Sequence, residues 1–310
     1  RFGVLQRRVR FSLADLVTGA AAGLLLVAGT VAGVPRSAPG PFALVAVAFL
    51  LPFVFAAVRG RRPRAGTLLA CVAEFGPILP LLLVFDNLGP FVLATSSVDR
   101  DPLLVAADRL LFLGNDPTRL LEPYAGPLLL EVLTVCYALY YFHPIVLGAL
   151  LWRDDLKEKK PGARFPAFAF AILLTFYVSY AGYFLVPAIG PRFTVRHDGP
   201  LPRATVAAAI DGTLDRLETS RRNCFPSGHT MVTVAVLVEA ARRSRTTFLG
   251  FLPFAAGLVA ATVVGRYHYV VDVLAGLVLT IAVLAAARAV SRKVVQEPDG
   301  TVLETSRYFR

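Results

Sequence analysis

Apolar residues in this chain come in long blocks separated by short polar links. The blocks are mostly about 17 to 25 residues long, the length needed to cross a bilayer as helix. They run from about Ser12 to Val34, Pro41 to Val58, Thr67 to Phe85, Pro127 to Trp152, Phe165 to Ala188, Thr230 to Ala241, Phe248 to Gly265 and Tyr269 to Val290. The third carries Pro77 and Pro80, which predict a kink, and the sixth is short. Residues 86–126 break the rhythm with Asp99, Arg100, Asp101, Asp108, Arg109 and Asp116. Within them Leu103, Leu104, Ala107, Leu110 and Leu111 recur at helical spacing, which predicts an amphipathic helix lying in the membrane interface. From Gly190 to His229 a polar loop is expected. The pattern predicts an all-α integral membrane protein of about eight transmembrane helices. It forms one membrane domain: two accessory spans in 1–65, a six-helix core in 66–290 and a tail in 291–310.

Composition agrees. Of 310 residues 56% are hydrophobic and only 17% charged, well under the quarter usual in soluble domains. The formal net charge of +11 would suit nucleic acid, but the cations sit in the links between apolar blocks, where the positive-inside rule accounts for them. With eight spans, 21 of the 32 Lys and Arg fall on the side of both termini. That side is expected to be cytoplasmic, and nucleic acid is not expected as a partner. The first block exceeds a signal-peptide core and lacks a clear cleavage site, so it is expected to be an uncleaved span. Cys71, Cys136 and Cys224 show no metal-ligand or disulfide spacing.

Two polar segments then fall on the opposite, extracytoplasmic or lumenal face. The first, Arg221 to Thr230, reads Arg-Arg-Asn-Cys-Phe-Pro-Ser-Gly-His-Thr and opens an apolar block. Pro226, Ser227 and Gly228 form a turn into a helix whose free N–H groups and macrodipole favour an anion. Ser227 adds a hydroxyl, and His229 at the rim is placed to donate a proton. In the second, Gly265 to Asp272, His268 and Asp272 stand four apart, on one helical face. An aspartate entering an apolar run needs a partner, and the N–H of His268 is the natural one. That bond would fix the imidazole tautomer and leave the other nitrogen as nucleophile. Arg192, leaving the fifth block in Gly-Pro-Arg, and Arg266 offer planar guanidinium forks for phosphate oxygens.

The run Cys224-Phe-Pro-Ser-Gly-His229-Thr followed by His268-x-x-x-Asp272 resembles the type-2 phosphatidic acid phosphatase superfamily. These are membrane phosphatases and phosphotransferases that work through a phosphohistidine. Gly-Pro-Arg192 and Arg-Tyr-His268-Tyr-x-x-Asp272 resemble its inositol phosphorylceramide synthase-like branch. The resemblance implies a six-helix core and assigns catalysis to three residues: His268 as nucleophile, Asp272 as its orienting partner and His229 as general acid. It gives Ser227, Gly228, Arg192 and Arg266 the phosphoryl oxygens, and it implies no cofactor and no metal. Two positions depart from the broad family. Thr262 stands where an arginine six residues before the histidine is usual, and no lysine precedes Arg192 in the first motif. Arg266 is the cation available to replace one of those charges.

The expected activity is that of a lipid phosphatase or phosphotransferase. Its substrate would be a lipid phosphate or phosphodiester from the bilayer, with an alcohol such as inositol or a ceramide-like lipid as possible acceptor. Simple hydrolysis of phosphatidic acid or a polyprenyl phosphate is the alternative. Two histidines and a carboxylate also form a metal-ligand set, but the neighbouring arginines would repel a cation. A cysteine phosphatase would need an arginine where Thr230 stands. As a transporter the chain would use Glu74, Glu131, Glu239 and His143 as an ion path. At 1.5 Å per residue, however, His143 lies roughly 24 Å inward of the outer end of its span, too deep to cooperate with Glu131. Glu131 is kept as a headgroup or supporting contact, and Tyr137, Tyr140, Tyr141 and Phe142 are taken as packing.

Overall fold

The computed structural model describes residues 9–61, 63, 66–158, 164–202, 204–217 and 221–296. The first eight residues, Arg62, Arg64, Lys159, Lys160 and the chain beyond 296 lie outside them. All regular elements among the described residues are helical. The principal helices are α1 (Leu13–Val31), α2 (Pro39–Gly60), α3 (Leu68–Phe75), α4 (Ile78–Asp86), α5 (Asp101–Leu111) and α6 (Pro127–Ala138). They continue with α7 (Phe142–Lys157), α8 (Phe165–Leu185), α9 (Thr205–Leu217), α10 (Gly228–Arg243), α11 (Arg245–Val264) and α12 (Val270–Gln296).

This is an all-α integral membrane protein. Among the described residues six helices are long and apolar enough to cross a bilayer, one of them being α6 and α7 joined as Pro127–Lys157. A seventh span is formed if α3 and α4 count together across their 43° bend. The bend falls at Gly76-Pro77, where proline cannot donate to the helical ladder. The remaining predicted span, α10, has 16 residues and is shorter than the other crossings. Residues 291–296, expected in the tail, continue α12.

The chain divides into two compact units. One holds the described residues of Arg1–Phe91, Gly148–Tyr177 and Ala285–Arg310; the other is Val92–Leu147 with Val178–Leu284. In the first, α1 opens with a capping box between Ser12 and Asp15, and Asp15 also pairs with Arg59. Arg59 donates further to the carbonyl of Ala73 at 2.7 Å, so this cation of the second link is held inside the unit. Phe75 packs on Trp152 and Phe165.

The second unit contains every expected site residue. Its helix α5 lies where predicted, but its buried face is the acidic one. Asp101, Leu104 and Asp108, spaced by three and four, are buried, while Leu103, Leu110 and Leu111 are exposed. The expected loop between Gly190 and His229 also contains α9. Glu131 accepts from the backbone N–H groups of Val206 and Ala207 at 3.1 and 2.8 Å, so it caps α9. That engagement accounts for an acid on an apolar helix without an ion path.

Candidate active site

Three short segments converge in the second unit, and backbone hydrogen bonds knit them together. Cys224 N–H donates to the Ala188 carbonyl at 3.2 Å, Arg192 N–H to Arg266 at 3.0 Å, and Ser227 N–H to Asp272 at 3.2 Å. Their close approach needs glycine at two places. At Gly190 (φ 95°) a side chain would stand 2.8 Å from the Tyr267 carbonyl, and at Gly182 it would stand 2.1 Å from Pro226.

Ser227 is the N-cap of α10. Its hydroxyl accepts from the Thr230 N–H at 3.2 Å and from the Thr230 hydroxyl at 3.0 Å. That side chain is fully buried and committed to the cap. Among the described residues no acceptor meets the N–H groups of Gly228 and His229, which leaves the first turn open to an anion.

The start of α12 is built by carboxylates. Asp272 is its third residue, and Oδ2 reaches back to the Tyr269 N–H at 3.0 Å, the return half of a capping box. His268 Nδ1 lies 3.5 Å from the same oxygen, and the buried Cys224 thiol donates to it at 2.9 Å. Burial, reinforced by the Asp272 charge, pushes that thiol well above its ordinary pKa. On its other edge His268 Nε2 lies 3.3 Å from His229 Nδ1. The histidine expected as nucleophile thus sits between a carboxylate and the histidine expected as acid.

His229 is flanked by two tyrosines. Tyr137 stacks on it at 4.6 Å and on Tyr267 at 4.5 Å, while the Tyr140 ring lies at 4.3 Å. Tyr137 and Tyr140 of the aromatic run are therefore part of the site's wall, while Tyr141 and Phe142 are exposed. The i, i+3 spacing of Tyr137 and Tyr140 was the available signal.

Two further carboxylates, unassigned from sequence, hold the converging segments from α5. Asp101 accepts from the N–H groups of Ile189 and Gly190 at 3.0 and 2.8 Å and from the Tyr269 hydroxyl at 2.8 Å. Asp108 accepts from Val270 and Val271 at 3.0 and 2.8 Å and so caps α12 directly after His268. Burial raises its carboxyl above the usual range, against the pull of those two N–H groups. Asp108→Ala is expected to cost about 1–2 kcal/mol of stability, the range for a lost cap. It should also slow turnover, read from melting curves alongside the assay below.

The model of the PAP2 superfamily matches residues 103–286, more than half of the chain and all the site residues just described except Asp101. The chain belongs to the PAP2 superfamily. The PAP2 match begins after the third predicted span. A PA-phosphatase related-family protein of Dictyostelium discoideum is 27% identical over 179 residues, covering 52% of this chain and 32% of that protein. The match thus spans about a third of that relative's length. No solved structure was found to match the chain.

The arginines expected at the phosphate have partners of their own in this PAP2 chain. Arg266, at φ 64°, donates to Glu122 at 2.7 Å and to the Gly199 carbonyl at 2.8 Å. Arg192 lies over the Phe193 ring at 5.6 Å. Thr262, at the broad family's arginine position, is fully buried, and its carbonyl accepts from both Tyr267 and His268 N–H at 2.9 Å. It shapes the turn that presents the histidine.

Proposed function

We propose that this PAP2 protein is a membrane-embedded lipid phosphatase or phosphotransferase working through a phosphohistidine on His268. The observation that supports this most is the alignment of Asp272, His268 and His229, with Nε2 of His268 facing His229 at 3.3 Å beside the open first turn of α10. With its Nδ1 proton directed at Asp272, His268 keeps the Nε2 lone pair for attack. A phosphoryl group enters by breaking the 3.3 Å contact between the two imidazoles, which part to admit it, and the Gly228 and His229 N–H groups receive its oxygens. Nε2 bonds to phosphorus, the bond from phosphorus to the lipid oxygen breaks, and His229 gives that oxygen its proton. Water or an alcohol then attacks phosphorus, returns a proton to His229 and frees His268. Arg192 and Arg266 neutralise the phosphate, for which Arg266 exchanges Glu122 and the Gly199 carbonyl. Ser227 acts through the cap it makes.

On this reading the site faces the extracytoplasmic or lumenal side, with both termini cytoplasmic, as the distribution of basic links favours. The Gly-Pro-Arg192 and Arg266-Tyr-His268 details favour the inositol phosphorylceramide synthase-like branch, hence transfer to an alcohol. Hydrolysis needs only water in the same place.

The test is to incubate the purified protein with phosphatidic acid, polyprenyl phosphate and phosphodiester lipids, with and without inositol. From a lipid monophosphate, free phosphate alone identifies a phosphatase and inositol phosphate a transferase; from a phosphodiester donor, a new phosphodiester identifies the transferase. Absence of turnover on every lipid phosphate would overturn the proposal. No step runs through a metal, so activity is expected to survive thorough chelation undiminished.

A further inference from the structure

Beside the face of His268 that meets His229 lies a second cluster, in which the reaction gives Cys224 no part. Cys224 Sγ, His268 Nδ1 and an Asp272 oxygen all lie within 4.8 Å of one another, and all three residues are buried. The separations are 2.9 Å from sulfur to Oδ2, 3.7 Å from sulfur to Nδ1 and 3.5 Å from Nδ1 to Oδ2. Tetrahedral zinc with one thiolate, one imidazole and one carboxylate requires edges of about 3.3–3.6 Å from its usual bond lengths. The three donors therefore stand within roughly 0.6 Å of that frame. A second observation points the same way. Asp272 Oδ1 is buried and, among the described residues, meets no hydrogen-bond donor. It is not the oxygen measured above but its partner on the same carboxylate, and an orphaned carboxylate oxygen in a buried site is costly unless something, such as a metal held by both oxygens, satisfies it.

We propose that Cys224, His268 and Asp272 form an inhibitory site for a thiophilic divalent cation of the zinc and cadmium class. Binding displaces the proton that Cys224 now shares with Asp272, and the thiolate, Nδ1 and the carboxylate become ligands. The metal takes the place of the Nδ1 proton. It withdraws electron density from the imidazole and occupies the carboxylate that would stabilise the attacking ring, so Nε2 loses its nucleophilic strength. Hard cations such as magnesium prefer oxygen donors and have little claim on this set. The arginines do not forbid the site: Arg266 is paired with Glu122 and Arg222 with Asp99. The inhibition rests on the phosphohistidine reading, whereas the binding does not.

The experiment separates the two. Cadmium is added to the purified protein, and the ultraviolet charge-transfer band of a cadmium–thiolate bond is recorded. One equivalent is expected to bind, with the band kept in a Cys71→Ser/Cys136→Ser variant and lost in Cys224→Ala. Asp272→Asn should weaken binding at least tenfold with the thiol still present, a change that a bare reactive cysteine would not show. No band in the parent protein, or a band that persists in Cys224→Ala, would overturn the site even if the enzyme proves active. In the turnover assay micromolar zinc is expected to slow the parent at least tenfold, reversibly with chelator. Each variant is compared with its own metal-free rate, and Cys224→Ala should need at least tenfold more zinc. Equal zinc sensitivity in Cys224→Ala would overturn the inhibitory role.

Discussion

Replacing His268 by alanine is expected to abolish turnover, with a loss of about four to six orders of magnitude, as for other covalent nucleophiles. In the proposed mechanism no second group takes its place. Its Nε2 faces His229, its Nδ1 faces Asp272, and the ring itself is buried. A phosphoenzyme trapped from labelled lipid phosphate should disappear with it. The control is His143→Ala, which removes an imidazole of α7 whose ring packs against Phe251 of α11 at 5.7 Å. That variant should keep the chemistry nearly intact. Residual activity or labelling in His268→Ala would refute the nucleophile assignment, whatever the lipid substrate.

The second large effect is expected of Asp272→Asn, with a fall in kcat of about two to four orders of magnitude and little change in KM. Aspartate-to-asparagine changes behind a catalytic histidine act mainly through the tautomer, at a cost of up to about 10⁴-fold. Here an amide keeps an oxygen for the Tyr269 N–H, so the start of α12 survives. Because Nδ1 meets that same oxygen, an amide that keeps the cap leaves Nδ1 facing a neutral acceptor without the charge that steadies the attacking ring, and an amide turned the other way would offer Nδ1 a proton only by giving up the Tyr269 N–H. The measurement is kcat and KM on the best lipid substrate, with a melting curve to show that the fold is kept. An unaltered kcat would sink the orienting role, and a rise in KM alone would move Asp272 to substrate binding.

The apolar blocks located the helices, because spanning a bilayer demands some twenty apolar residues in a row and little else in a chain does. The histidine motifs were legible for a local reason. Ser227 with Thr230, and His268 with Asp272, meet through separations of three and four residues along one helix start. What escaped notice was the set of long-range partners. The Cys224 thiol reaches Asp272 across 48 residues, and Asp101 reaches the Tyr269 hydroxyl across 168. No periodicity records such pairs. Tyr137 and Tyr140 were hidden differently, since aromatic residues in an apolar block look the same whether they face lipid, neighbours or His229. Helix α9 lay in a stretch too polar to stand out, and its cap, Glu131, comes from another helix altogether.

In α5 the customary rule for an amphipathic helix is turned over. Exchanging Asp101 and Asp108 for leucine would lengthen its apolar stripe and, judged by hydropathy, improve a segment bound for the interface. It would instead strand the N–H groups of Ile189, Gly190, Val270 and Val271 away from any acceptor. It would also leave the Tyr269 hydroxyl to Thr194 alone among the described residues. Two of the most water-loving side chains of the segment are the ones this fold cannot return to water.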